Sequence, residues 1–91
     1  MKNYELIMQI LDKSKTENVP VDIAYDMLAV DGDKDALKSA WAILNKYQTT
    51  ITALRNTKNF EEINIIVNLA EQNRHEDIKE YIADLRKNGI I

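Results

Sequence analysis

Asp31, Asp33 and Asp35 alternate through Asp31-Gly32-Asp33-Lys34-Asp35, the spacing with which a calcium loop begins. Such a loop also needs glycine at its sixth position, for the turn, and a bidentate glutamate at its twelfth. Counted from Asp31 those positions hold Ala36 and Ala42, so the turn residue and the strongest ligand are both missing. A helix stop at Gly32 followed by a helix cap at Asp33 accounts for the same residues.

His75, the only histidine, lies in Asn-Arg-His-Glu-Asp. A histidine beside carboxylates can act as a general base or a metal ligand. Here it has no cysteine and no second histidine to work with. It is expected in an exposed turn. Glu61/Glu62 and Glu76/Asp77 are carboxylate pairs, but acid–base work needs two unlike environments facing one cleft. Both pairs fall in the first turn of an expected helix, where the helix dipole alone favours acidic side chains. No Gly-rich turn or nucleophile elbow supplies an anion cradle or an attacking group. The sequence therefore implies no catalytic set, no cofactor and no metal, and the expectation is a protein that is not an enzyme.

Nucleic-acid binding is the other chemistry to weigh. Residues 18–47 read as two helices joined by a short turn, the minimum for a helix-turn-helix. Lys38 and Lys46 point away from the apolar stripe of the second helix and would be its DNA contacts. Its first turn, which would read the bases, carries Asp33 and Asp35, which repel phosphate. The chain is also acidic, with net charge −3 and a sequence pI of about 5.1. DNA binding is thus the second choice.

The elements that hold these residues follow from periodicity. From Asp33 to Arg55 there is no glycine or proline, and Leu37, Ala40, Trp41, Leu44, Tyr47, Ile51 and Leu54 recur at steps of three and four. That is the stripe of one long helix, about 33–56, roughly 34 Å at ~1.5 Å per residue. Thr49-Thr50-Ile51-Thr52 lowers helix propensity within it. An earlier helix, Asn3 to about Lys15, buries Tyr4, Ile7, Met8 and Leu11. The next, about Pro20 to Val30, places Ile23, Ala24, Met27 and Leu28 inward and stops at Gly32 in a left-handed cap. Asn59 with Glu62, and Asn73 with Glu76, read as capping boxes for two more helices, about Phe60–Gln72 and Asn73–Asn88. Gly89 ends the last one, and Ile90 and Ile91 are expected to fold back. The fold class is all-α: a compact bundle of about five helices in a single domain, 1–91, with one long central helix and a C-terminal helical hairpin.

Ninety-one residues with 45% hydrophobic and 30% charged side chains fit one ordinary globular domain. No 18-residue apolar stretch is present, and the N-terminal MKNYELIMQILDK is interrupted by Glu5, Gln9 and Asp12, unlike a signal peptide. A cytoplasmic location is the simplest expectation.

The helix at 60–72 is apolar over an unusually wide arc. It is either the middle of the bundle or, through Ile65 and Leu69, a contact for a second subunit or a target. Trp41 is the other candidate partner-binding residue, since a tryptophan at a surface is a frequent hot spot. The leading expectation is a non-enzymatic protein–protein interaction module, a regulator or inhibitor, binding a target protein or itself through helix faces. Phage anti-sigma factors and bacteriocin and colicin immunity proteins share the size, acidity and helical content, but none of their diagnostic residues can be matched position by position, so a bacteriocin-immunity-like helical protein stands only as a further alternative. Richness in Ile, Asn and Lys fits an AT-rich bacterial, phage or plasmid genome.

Overall fold

The computed structural model describes residues 2–91, and every regular element among them is a helix. In chain order they are α1 (Lys2–Glu17), α2 (Val21–Asp31), α3 (Lys34–Lys46), α4 (Gln48–Asn56), α5 (Phe60–Glu71) and α6 (His75–Lys87). The all-α class stands. The count differs from five because the expected long helix at 33–56 is two helices. Tyr47 breaks it, with φ −117° and ψ 27°, close to the sparsely populated bridge region that non-glycine residues can enter. Its carbonyl accepts the N–H of Ile51 at 2.9 Å, so α4 starts at once. The break falls two residues before the β-branched run Thr49–Thr52, where helix propensity is weakest.

The same residue divides the chain into two units, Met1–Lys46 and Tyr47–Ile91. In the first, α1 packs on α2 and on α3, and α2 packs on α3. Ile7, Ile10, Leu11, Ala24, Leu37, Ala40 and Leu44 are its buried apolar side chains. In the second, α5 packs on both α4 and α6. Ile51, Leu54, Ile63, Ile66, Val67, Ala70, Ile78 and Leu85 are buried there. The expected C-terminal hairpin is α5 and α6, joined through Gln72, Asn73 and Arg74.

Helix ends set the geometry, and several differ from expectation. Four helices end on a left-handed residue: Asn18 (φ 55°), Lys58 (φ 60°), Asn73 (φ 57°) and Gly89 (φ 75°). After α4, α5 and α6 the next N–H reaches back to a carbonyl one turn and a half earlier: Asn59 to Leu54 at 2.8 Å, Arg74 to Leu69 at 2.9 Å, Ile90 to Leu85 at 2.9 Å. This is the Schellman arrangement, which satisfies carbonyls the helix leaves open. Asn73 is therefore the stop of α5 and not the cap of α6. The cap position of α6 is Arg74, which makes no side-chain cap bond, and its guanidinium Nε donates instead to Asp77 at 2.7 Å. Asn59 does occupy the cap position of α5, but its amide donates to Thr57 Oγ1 at 2.6 Å and not to the helix. Gly89 ends α6 as expected, and Ile90 and Ile91 are half-buried.

Gly32 is a correction of another kind. It is extended, φ −100° and ψ −176°, and not left-handed. Glycine is needed there for space: a Cβ would lie 2.8 Å from the Leu28 carbonyl oxygen and 3.0 Å from Leu37 Cδ1. The turn after α1 is closed by the same backward reach past left-handed Asn18, with a side-chain bond added. Val19 N–H donates to the Ser14 carbonyl at 3.1 Å, and the Ser14 hydroxyl donates to the Val19 carbonyl at 2.5 Å.

Candidate interaction surface

The chain Val21–Asp31 is apolar nearly all round its axis, so its sequence does not decide which side faces in. Ala24 decides it. The small side chain is fully buried and lets α2 approach its neighbours closely, with Val21, Tyr25 and Leu28 half-buried beside it. Pro20 starts the helix, its carbonyl accepting the Ala24 N–H at 3.0 Å. Ile23 and Met27, expected inward, therefore face out. Their exposures are 43% and 38%, and Val30 reaches 74%. At positions i, i+4 and i+7 the three form one line along the helix.

Acidic side chains border this ridge. Asp22 and Asp26 lie on one side and Asp31 on the other, by a turn of ~100° per residue. All three are exposed. None is in an ion pair with a described residue. From Thr16 to Asp33 the sequence has five acidic residues and no lysine or arginine.

Trp41 braces the opposite side of α2. Its ring stacks on Tyr25 with centroids 5.1 Å apart and an interplanar angle of 22°. Such a pair contributes ~0.5–1.5 kcal/mol beyond area burial. Trp41 is half-buried, with one face covered by an aromatic of its own unit.

In the second unit, α5 places Ile63, Ile66, Val67 and Ala70 inward. Ile65 is 41% exposed and Leu69 half-buried, on a separate face. Phe60 opens the helix and is also exposed. Ile65 and Leu69 share α5 in the second unit, and Trp41 belongs to the first.

Lys38 and Lys46 are exposed on α3. The turn before them is acidic, and Asp33 Oδ1 accepts the Ala36 N–H at 3.2 Å, which is helix capping. The calcium-like spacing is explained by that bond. Among the described residues no group of three His, Asp or Glu side chains is placed to hold a metal ion. No helix of the described residues is long and apolar enough to cross a membrane.

His75 is not in an exposed turn. It is half-buried at the start of α6, and its Nδ1 lies 2.6 Å from the Tyr47 hydroxyl. The two rings stack at 6.1 Å. Burial, and then the charge of Glu76, raise the Tyr47 phenol above its ordinary value of 10.0. Burial and Glu62 do the same for Tyr81. A phenol whose folded value is raised contributes stability fully below the unfolded value and loses it as pH rises through the folded one. Tyr47→Phe is expected to cost about 1 kcal/mol at neutral pH, the net worth of one hydrogen bond. It should also make the decline of stability above pH ~10 shallower. Urea unfolding across an alkaline series reads both effects, and an unchanged alkaline limb refutes the second.

Compared with known protein families, with curated proteins and with solved structures, the chain matches none.

Proposed function

We propose that this chain is a non-enzymatic helical module that binds another protein through its exposed helix faces. The ridge Ile23, Met27 and Val30 carries the reading. Covering three large apolar side chains aligned on one exposed helix face favours a complex by ~25 cal/mol per Å² removed from water, against the cost of association. Ile65 on α5 is a second, smaller exposure of the same kind. The acidic stretch 16–33 includes the whole of α2, the first helix of the alternative DNA-binding unit, and it weighs against that alternative.

The test is capture from nuclease-treated lysate of the source organism at moderate salt. The wild-type chain is compared with the triple change Ile23→Ser, Met27→Ser, Val30→Ser, its helicity checked by circular dichroism. The expected result is a stoichiometric protein partner on the wild type that is missing from the folded triple variant. Recovery that disappears with nuclease, or a partner that ignores both the α2 changes and Ile65→Glu, refutes the proposal.

A further inference from the structure

We infer that the element docking on α2 is a basic amphipathic helix of another protein, its apolar stripe on Ile23, Met27 and Val30 and its lysines or arginines beside Asp22, Asp26 and Asp31. This deepens the interaction-module reading and rests on it.

Shape and charge select this occupant together. The ridge spans eight residues, ~10 Å or two turns, the length over which one helix meets another. Its residues stand at i, i+4 and i+7, the spacing of anchors in helix-to-helix recognition. Met27 sits at the centre, and its unbranched thioether adapts to the partner's side chains. The charge is one-sided on both flanks, with Asp22 and Asp26 along one edge and Asp31 along the other. A partner helix with basic residues on either side of its apolar stripe meets an opposite charge on each.

The same distribution disfavours other occupants. A second copy docked α2 against α2 would set aspartate edges against aspartate edges, because α2 carries no lysine or arginine. Nucleic acid and anionic lipid surfaces are repelled for the same reason.

The full chain, labelled with ¹⁵N, is titrated with a peptide of alternating leucine and lysine faces arranged as one amphipathic helix. A scrambled peptide of identical composition is the control. The expected result is saturable shifts centred on residues 21–31 with the amphipathic peptide and weak, diffuse ones with the scrambled form. Met27→Lys or Val30→Lys abolishes the shifts. Val30 is the more exposed of the two and keeps the test valid if Met27→Lys perturbs folding. The combined change Asp22→Asn, Asp26→Asn, Asp31→Asn weakens binding roughly tenfold and removes most of its salt dependence. Equal binding of the scrambled peptide overturns the inference, as does a ridge-dependent dimer in sedimentation. If an acidic or neutral amphipathic peptide binds in place of the basic one and is lost on Met27→Lys, this inference falls and the module reading stands. If no peptide binds and the lysate yields no partner, both fall.

Discussion

Ile66→Asp is expected to unfold α4, α5 and α6, while Ile65→Asp, one residue earlier, leaves them folded. Ile66 has no exposed surface and sits on the helix that packs against both α4 and α6. The change removes ~1.5–3 kcal/mol of apolar burial. It also places a carboxylate in a fully buried position, which costs several kcal/mol more, whether it stays charged or takes up a proton. Together these rival the ~5–15 kcal/mol by which whole domains are stable. Ile65 is 41% exposed, so Ile65→Asp gives up only part of such a burial contribution and should cost about 1 kcal/mol, too little to unfold the unit. Circular dichroism of the two variants compares them directly. Retained helicity in Ile66→Asp, or collapse in Ile65→Asp, means the inward face of α5 is assigned wrongly. The contrast also decides whether Ile65 can serve as a probe of binding without disturbing the fold.

Ile10→Ala should lower the stability of the first unit by about 2–5 kcal/mol, the range for deleting a large buried side chain whose cavity does not fully collapse. Ile10 is fully buried on α1, the helix that packs on both α2 and α3. Trp41 is the only tryptophan and stacks on Tyr25 across α2 and α3, so its fluorescence follows this unit in a urea titration. A midpoint equal to wild type would mean that α1 does not close the core. Val30→Ala, on the exposed ridge, provides the control and should change stability by no more than ~0.5 kcal/mol.

The helical class was legible because apolar residues recur at steps of three and four in every segment. On α5 the sequence set Ile65 and Leu69 apart from the rest of a wide apolar arc, and the buried side is the one with Ile63, Ile66, Val67 and Ala70. A weak point near Thr49–Thr52 was legible, but the position of the break, at Tyr47, was not. Tyrosine enters its conformation without the glycine or proline that marks a break, and what accompanies it is a bond to His75, 28 residues away. The outward ridge on α2 was missed for a related reason. Ile23, Ala24, Met27 and Leu28 offer two overlapping stripes, and only the packing of Ala24 and the Tyr25–Trp41 stack chooses between them. The signal that pointed to the surface was present in the charge pattern: Thr16–Asp33 without a single base. Capping signatures misled where an asparagine suited two roles, as Asn73 did, serving as a left-handed stop just before the position it was expected to cap.

The end of α6 bears on how this protein ages. Asn88-Gly89 is the dipeptide in which an asparagine most readily cyclises, the following backbone nitrogen attacking the side-chain amide carbon and expelling ammonia. In the folded chain that nitrogen carries its hydrogen toward the Arg86 carbonyl at 3.1 Å, while Ile90 clamps the turn through Leu85. The nucleophile is thus held in the helix terminus and freed only when the last turn frays. The clamp that stops the helix also slows the conversion of Asn88 to aspartate or isoaspartate, and so protects the chain from a slow drift toward greater negative charge.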